Sequence, residues 1–89
     1  MATISFTANI QRHVTCPDES VSGGTVAELL EDYFARHPRA RGYVLDDQGA
    51  LRHHMNIYVD GEALRDRVRQ SDAVAPDAEL HVFQALSGG

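Results

Sequence analysis

The stretch "TVAELLEDYFARHP", residues 25–38, does most to limit what this chain can become. Val26, Leu29, Leu30, Tyr33 and Phe34 recur at helical spacing and make one apolar stripe. Thr25 and Glu28 form a capping-box pattern, each side chain able to satisfy the other's free backbone N–H. Arg36 and His37 fall in the last turn, where positive charge is favoured, and Pro38 stops the run. The spacing predicts a helix of about three turns. A chain of 89 residues has room for one core. The striped helix must therefore find its cover in the rest of the sequence, and the rest reads as strands.

"TISFTANI" sets Ile4, Phe6, Ala8 and Ile10 on one side and Thr3, Ser5, Thr7 and Asn9 on the other. That period of two predicts a strand with one buried face. A second strand falls within Val14 to Ser22, with Val21 inward; Pro17 interrupts the segment, Gly23-Gly24 closes it, and the pattern leaves its register open. After the helix, "RARGYVLDDQGALRHH" is polar around a short apolar island, Tyr43-Val44-Leu45, and "DDQG" reads as a turn. "MNIYVDGEAL" then resumes alternation, with Met55, Ile57 and Val59 facing one way and Asn56 and Tyr58 the other. Asp60-Gly61 is a hairpin signal. "RDRVRQSDAVAPDA" is a polar connection, and "ELHVFQAL" is a last strand with Leu80 and Val82 opposite His81 and Phe83.

The order β, β, α, β, turn, β predicts an α+β fold, a mixed sheet of four to five strands with one helix packed on one face. The uncovered face would carry Thr3, Ser5, Thr7, Asn56, Tyr58, His81 and Phe83, mostly polar but with two aromatics. There is no internal repeat and no low-complexity segment apart from the terminal Ser-Gly-Gly.

Composition excludes several classes of function. A hydrophobic share of 43% with 24% charged residues is that of an ordinary soluble globular protein, too apolar for a disordered chain. No apolar run is long enough to span a membrane, and "MATISFTANI" lacks the pattern of a signal peptide. One cysteine, Cys16, cannot form an internal disulfide, which suits a reducing cytoplasm. The formal charge of −5 argues against nucleic acid and suggests a protein partner with a basic docking surface.

No active site assembles from the motifs. There is no G-x-S-x-G and no P-loop, and Gly23-Gly24 reads as a lead into the helix. His53-His54, read as neighbours on a strand, would point to opposite faces and could not share one metal ion, so no metal is expected. Cys16 has no partner base and reads as a small, semi-buried residue. Arg36, Arg39 and Arg41 read as a solvated helix end, or as a contact for an acidic partner.

That leaves the end, "QALSGG". Residues 1–84 are expected to form the domain and 85–89 a flexible tail. Glycines lack a Cβ, so the Gly89 carboxylate could enter a narrow channel in another protein. A carboxylate is a poor acyl donor until it becomes a mixed anhydride with phosphate. A partner that binds ATP could make that anhydride, and a sulfur or amine nucleophile could then displace AMP. The bland alternative is a frayed end.

The helix "TVAELLEDYFARHP", the strand and turn "LRHHMNIYVDGE" and the end "ELHVFQALSGG" together resemble the MoaD/ThiS sulfur-carrier family over nearly the whole chain. The family's usual "DGD" lead into the last strand is replaced by "APDAEL". The resemblance implies a ubiquitin-like β-grasp fold. It implies a non-enzyme whose terminal glycine is adenylated by an E1-like adenylyltransferase and converted to a thiocarboxylate. Gly88 and Gly89 would take those roles. Partners would be that adenylyltransferase, a sulfur donor and a sulfur-accepting biosynthetic enzyme. No cofactor would be held stably, ATP being used by the activating partner. Phe83, Tyr58 and Leu86, close to the reactive end, are the expected docking residues. Family members serve molybdopterin, thiamin, cysteine or thio-siderophore synthesis. The segment "RGYVLDDQGALRHHMNIYVDGE" looks more like the carriers tied to cysteine or thioacid metallophores, some of which need residues trimmed after Gly-Gly. The alternatives are a ubiquitin-like modifier joined to lysine through Gly89, and a β-grasp interaction module.

Overall fold

The computed structural model describes residues 1–84. Leu86, Gly88 and Gly89, and the expectation of a flexible tail, lie outside the described residues. The elements in chain order are β1 (Ala2–Phe6), α1 (Ala8–Gln11), β2 (Glu19–Val21), α2 (Val26–Arg36), α3 (Pro38–Val44), β3 (Met55–Val59), β4 (Glu62–Ala63) and β5 (Glu79–Gln84). They form one five-stranded sheet in the order β2-β1-β5-β3-β4. β1 and β5 are parallel, and the other pairings are antiparallel. This is the expected mixed sheet with a helix on one face, in the ubiquitin-like β-grasp arrangement.

The core follows the predicted parities. Ile4 and Phe6 of β1, Val21 of β2, Met55 and Ile57 of β3 and Leu80 and Val82 of β5 are buried with the whole α2 stripe. Tyr33, at the stripe's centre, packs its ring 5.1 Å from Phe6 and donates its hydroxyl to the Pro17 carbonyl at 2.7 Å. Burial foremost holds its hydroxyl far above the ordinary tyrosine range. Glu28 N–H donates to the Thr25 hydroxyl at 3.2 Å, as the capping pattern predicts. The reciprocal bond is displaced by one residue, because the Glu28 carboxylate accepts from Gly24 N–H at 2.6 Å. Gly23 has no alternative at this entry, since a Cβ there would stand 2.6 Å from Glu28 Cβ. The hairpin turn has Asp60 and Gly61 both at positive φ, 51° and 86°, as a tight turn with the strands' own twist requires.

Two local expectations fail. The first strand does not run to Ile10. It stops at Phe6, Thr7 precedes a single helical turn, Ala8 is exposed and Ile10 is buried. The Gln11 amide donates to the Phe6 carbonyl at 2.9 Å, which satisfies the strand end the turn leaves behind. Thr7 therefore does not belong to the outer sheet face. The polar stretch after α2 is not all loop. Pro38 ends α2 and also opens α3 at its first turn, where its missing N–H costs nothing. Ala40 and Val44, four residues apart, are α3's buried contacts. The island Tyr43-Val44-Leu45 is a helix end, with Tyr43 exposed.

Candidate functional site

β5 is the element that carries the chain toward Gly89, and it is built into the middle of the sheet. β1 flanks it on one side and β3 on the other. Its alternation buries Leu80 and Val82 and turns His81 and Phe83 outward. Phe83 lies opposite Asn56, and Tyr58 lies opposite His81. On the outer face the rings of Tyr58 and Phe83 approach to 5.2 Å at an interplanar angle of 58°. Tyr58 keeps 39% of its surface exposed, and Phe83 is half-buried. The expected outward parity of both aromatics holds. The rest of this face is polar, with Ser5 and His81 sharing a hydrogen bond at 3.1 Å.

The last described residue, Gln84, is fixed from two sides. It pairs with Met55 in the ladder, and its side-chain carbonyl accepts from the Asn9 amide at 3.1 Å. Arg67 braces the adjoining start of β3, donating to the carbonyls of Arg52 and Met55 at 2.8 and 2.7 Å and to Asn56 at 3.4 Å. The sequence carries no sign of these roles. Arg67 lies in a stretch that reads only as polar connection, and Asn9 falls on the outer side of an alternation that the strand does not follow so far. Gln84 is thus a fixed point on a rigid sheet, and residues 85–89 are joined to it.

The other candidates do not assemble a catalytic site among the described residues. Cys16 is only 2% exposed, and burial, aided by the Asp18 carboxylate, pushes its thiol up and away from thiolate chemistry. His53 and His54 stand on a turn rather than a strand, with ring centroids 5.5 Å apart. The parity argument against a shared ion therefore does not apply to them. Among the described residues no three His, Cys, Asp or Glu side chains are grouped to hold a metal. Arg36 is not a free solvated cation. It bonds Glu19 at 2.8 Å, Asp32 at 3.2 Å and the Ser20 carbonyl at 3.2 Å. Glu19 also accepts from His37, and the two donors hold its carboxyl below the usual range, His37 foremost. This network clamps β2 to the α2–α3 corner. A 550 Å³ cleft at the β3–β4 hairpin is lined by the carboxylates Asp60, Glu62 and Asp72 but by no Ser, Cys or His nucleophile. No helix among the described residues is long and apolar enough to cross a membrane.

Comparison with known proteins agrees with this geometry. The model of the ThiS family matches residues 7–89. Small archaeal modifier protein 1 of Haloferax volcanii is 34% identical over 65 residues, covering 73% of this chain and 70% of that protein. Its crystal structure superposes with a TM-score of 0.77 at 28% identity, covering 99% of this chain and 98% of the other. A chain of the Amycolatopsis orientalis BexX/CysO complex superposes with a TM-score of 0.83 over all of both chains; at 24% identity it speaks for the fold.

Proposed function

The chain belongs to the ThiS family, and from that premise we propose that it is a sulfur carrier working through the carboxylate of Gly89. The observation that carries the reading is that the family match runs to residue 89 and so includes Gly88-Gly89. In the proposed cycle a carboxylate oxygen of Gly89 attacks the α-phosphate of ATP on an E1-like adenylyltransferase. The O–P bond to pyrophosphate breaks and an acyl-adenylate forms. Sulfide then adds to the Gly89 carbonyl, the bond to AMP breaks, and a thiocarboxylate remains, ready to pass sulfur to a biosynthetic enzyme. The chain is a cosubstrate in this cycle and contributes no catalytic residue. Its own part is to hold the acyl group at a fixed exit and to present a surface to the enzyme. Tyr58 and Phe83 are the anchors we assign to that surface, because adjacent half-exposed aromatics bury much area at small entropic cost. Leu86 would extend it into the tail. A fold neighbour was solved as the BexX/CysO complex, which supports the idea that bodies of this shape dock on a protein partner.

The test is intact mass after incubation with the E1-like adenylyltransferase of the same organism, ATP and sulfide. A gain equal to sulfur minus oxygen, lost when Gly89 is deleted, is the expected result. An unchanged mass would leave only an interaction module. The second reading, a modifier joined to lysine, is favoured by the 34% identical relative that is named a modifier. It predicts covalent attachment to other proteins through the tail in the same incubation.

A further inference from the structure

The net charge of −5 hides an uneven distribution. A closed circuit of contacts can be traced around the end of β5. Gln84 bonds Asn9 of α1, and α1 leads into Arg12 and His13. The His13 ring stacks on Tyr43 of α3 at 6.1 Å. The neighbouring Gly42 carbonyl accepts from the Arg52 guanidinium at 2.8 Å. Arg52 leads through His53 and His54 to Met55, which pairs with Gln84 and closes the circuit. No Asp or Glu occupies positions 9–13, 42–43, 52–55 or 84. A 220 Å³ cleft on this circuit, between Arg12, His13 and Thr15, adds Arg39. None of the ion pairs among the described residues involves Arg12, Arg39 or Arg52. The carboxylates Asp60, Glu62, Asp77 and Glu79 gather at the other end of the strands, where Asp60 accepts from Glu79 N–H at 2.9 Å.

We propose that this ring of arginines and histidines, set around the point where the tail departs, docks on an acidic rim at the mouth of the enzyme channel that receives the tail. The proposal rests on the carrier reading above. It reverses the partner charge that the net −5 suggests. Arginine keeps its charge at any working pH, so the ring is cationic while the whole chain repels anions. Positions 85–89 span at most about 17 Å when extended, so with Gly89 at the reacting phosphate the ring stands at the channel mouth, away from the nucleotide. Such a field orients the domain tail-first on approach and pulls the acidic hairpin end away from the enzyme.

Two measurements test this. ¹⁵N-labelled protein is titrated with an oligo-aspartate peptide at low salt. Amides of Arg12, His13, His53 and His54 are expected to shift, those of Glu62 and Asp77 to stay, and the shifts to vanish in about 1 M salt. Absent shifts, or larger ones with an oligothymidylate of equal charge, would overturn the assignment. In ATP–pyrophosphate exchange with the adenylyltransferase, Arg12→Glu/Arg39→Glu/His53→Glu is expected to raise KM for the carrier at least about tenfold, with kcat held, an effect shrinking with salt. Unchanged thermal melting excludes misfolding, Arg12→Gln/Arg39→Gln should give an intermediate KM, and Asp77→Lys should leave KM in place. A reversed-charge variant with the wild-type KM sinks the proposal. Failure of the wild type to support any exchange counts against the carrier reading alone, and the peptide titration then decides the ring.

Discussion

The rings of Tyr58 and Phe83 meet at 5.2 Å on the outer face of the sheet, with Phe83 one residue before the ladder pair of Gln84 and Met55. Phe83 is half-buried while its strand neighbours Leu80 and Val82 form the core. Phe83→Ala should therefore weaken binding to the activating enzyme by at least ~1 kcal/mol, with a smaller loss of fold stability. Calorimetric titration and urea unfolding read the two effects separately. Loss of several kcal/mol of stability with the affinity of the folded protein intact would make Phe83 a core residue.

Leu30 sits in the α2 stripe at 1% exposure. Leu30→Ala removes a buried side chain from a packed interior and should cost about 2–5 kcal/mol, seen as a lower urea midpoint. A change under about half a kcal/mol would mean that the helix face tolerates a cavity.

Asp66 organises the loop between β4 and β5, accepting from the N–H groups of Val68, Arg69 and Ser71 and from the Ser71 hydroxyl. The Ser71 hydroxyl leads the causes that push its carboxyl down to about 2. A carboxyl depressed in the folded state stabilises fully above its unfolded value, near 3.8, and loses that contribution as pH falls toward about 2. Asp66→Asn should be less stable than wild type at neutral pH, and the gap should close across that window. Parallel acid titrations followed by circular dichroism measure it. A gap that stays constant with pH would show that the loop does not depend on the charge.

Deleting Gly89, or replacing Gly88 by valine, should abolish activation and leave melting unchanged. The hydrophobic core of the described residues runs from Ala2 to Val82, and neither change removes a contact within it. A large drop in melting temperature would give the end a structural role.

The 89 residues include eight arginines and no lysine. An activated Gly89 therefore meets no ε-amine on another copy of the chain, and the α-amino group is its remaining amine. If the protein is conjugated to targets, its copies should never be joined to one another through a lysine isopeptide. Denaturing mass analysis of digested conjugates checks this, and an isopeptide between Gly89 and a lysine of the chain itself would contradict it.

The helix, the strand parities and the hairpin are legible because each rests on a local rule: a 3.6 period, a 2.0 period, a turn needing positive φ. The short turn α1 is not, because Ala8 and Ile10 also fit a strand's alternation, and the strand's end shows only in the fold, where the Ile10 and Gln11 N–H groups turn back to the Thr7 carbonyl and the Gln11 side chain to the Phe6 carbonyl. α3 is hidden by Gly42 and its arginines, with just Ala40 and Val44 facing the core. The aromatic pair can be placed from parity alone. The basic ring cannot, because residues 9–13, 42–43 and 52–55 come together only through tertiary contacts.

The central position of β5 also has a mechanical consequence. A tension applied at the C-terminal end, by a peptidase or an unfoldase gripping there, acts along β5. It loads the β1 and β3 ladders together in shear, so no single edge can peel open bond by bond. One of those ladders joins Thr3 to Glu79, so the anchorage exists only once the first and last strands of the chain have met. A pull transmitted through Gln84 therefore meets both ladders at once, and a body that has not finished folding has neither to resist it.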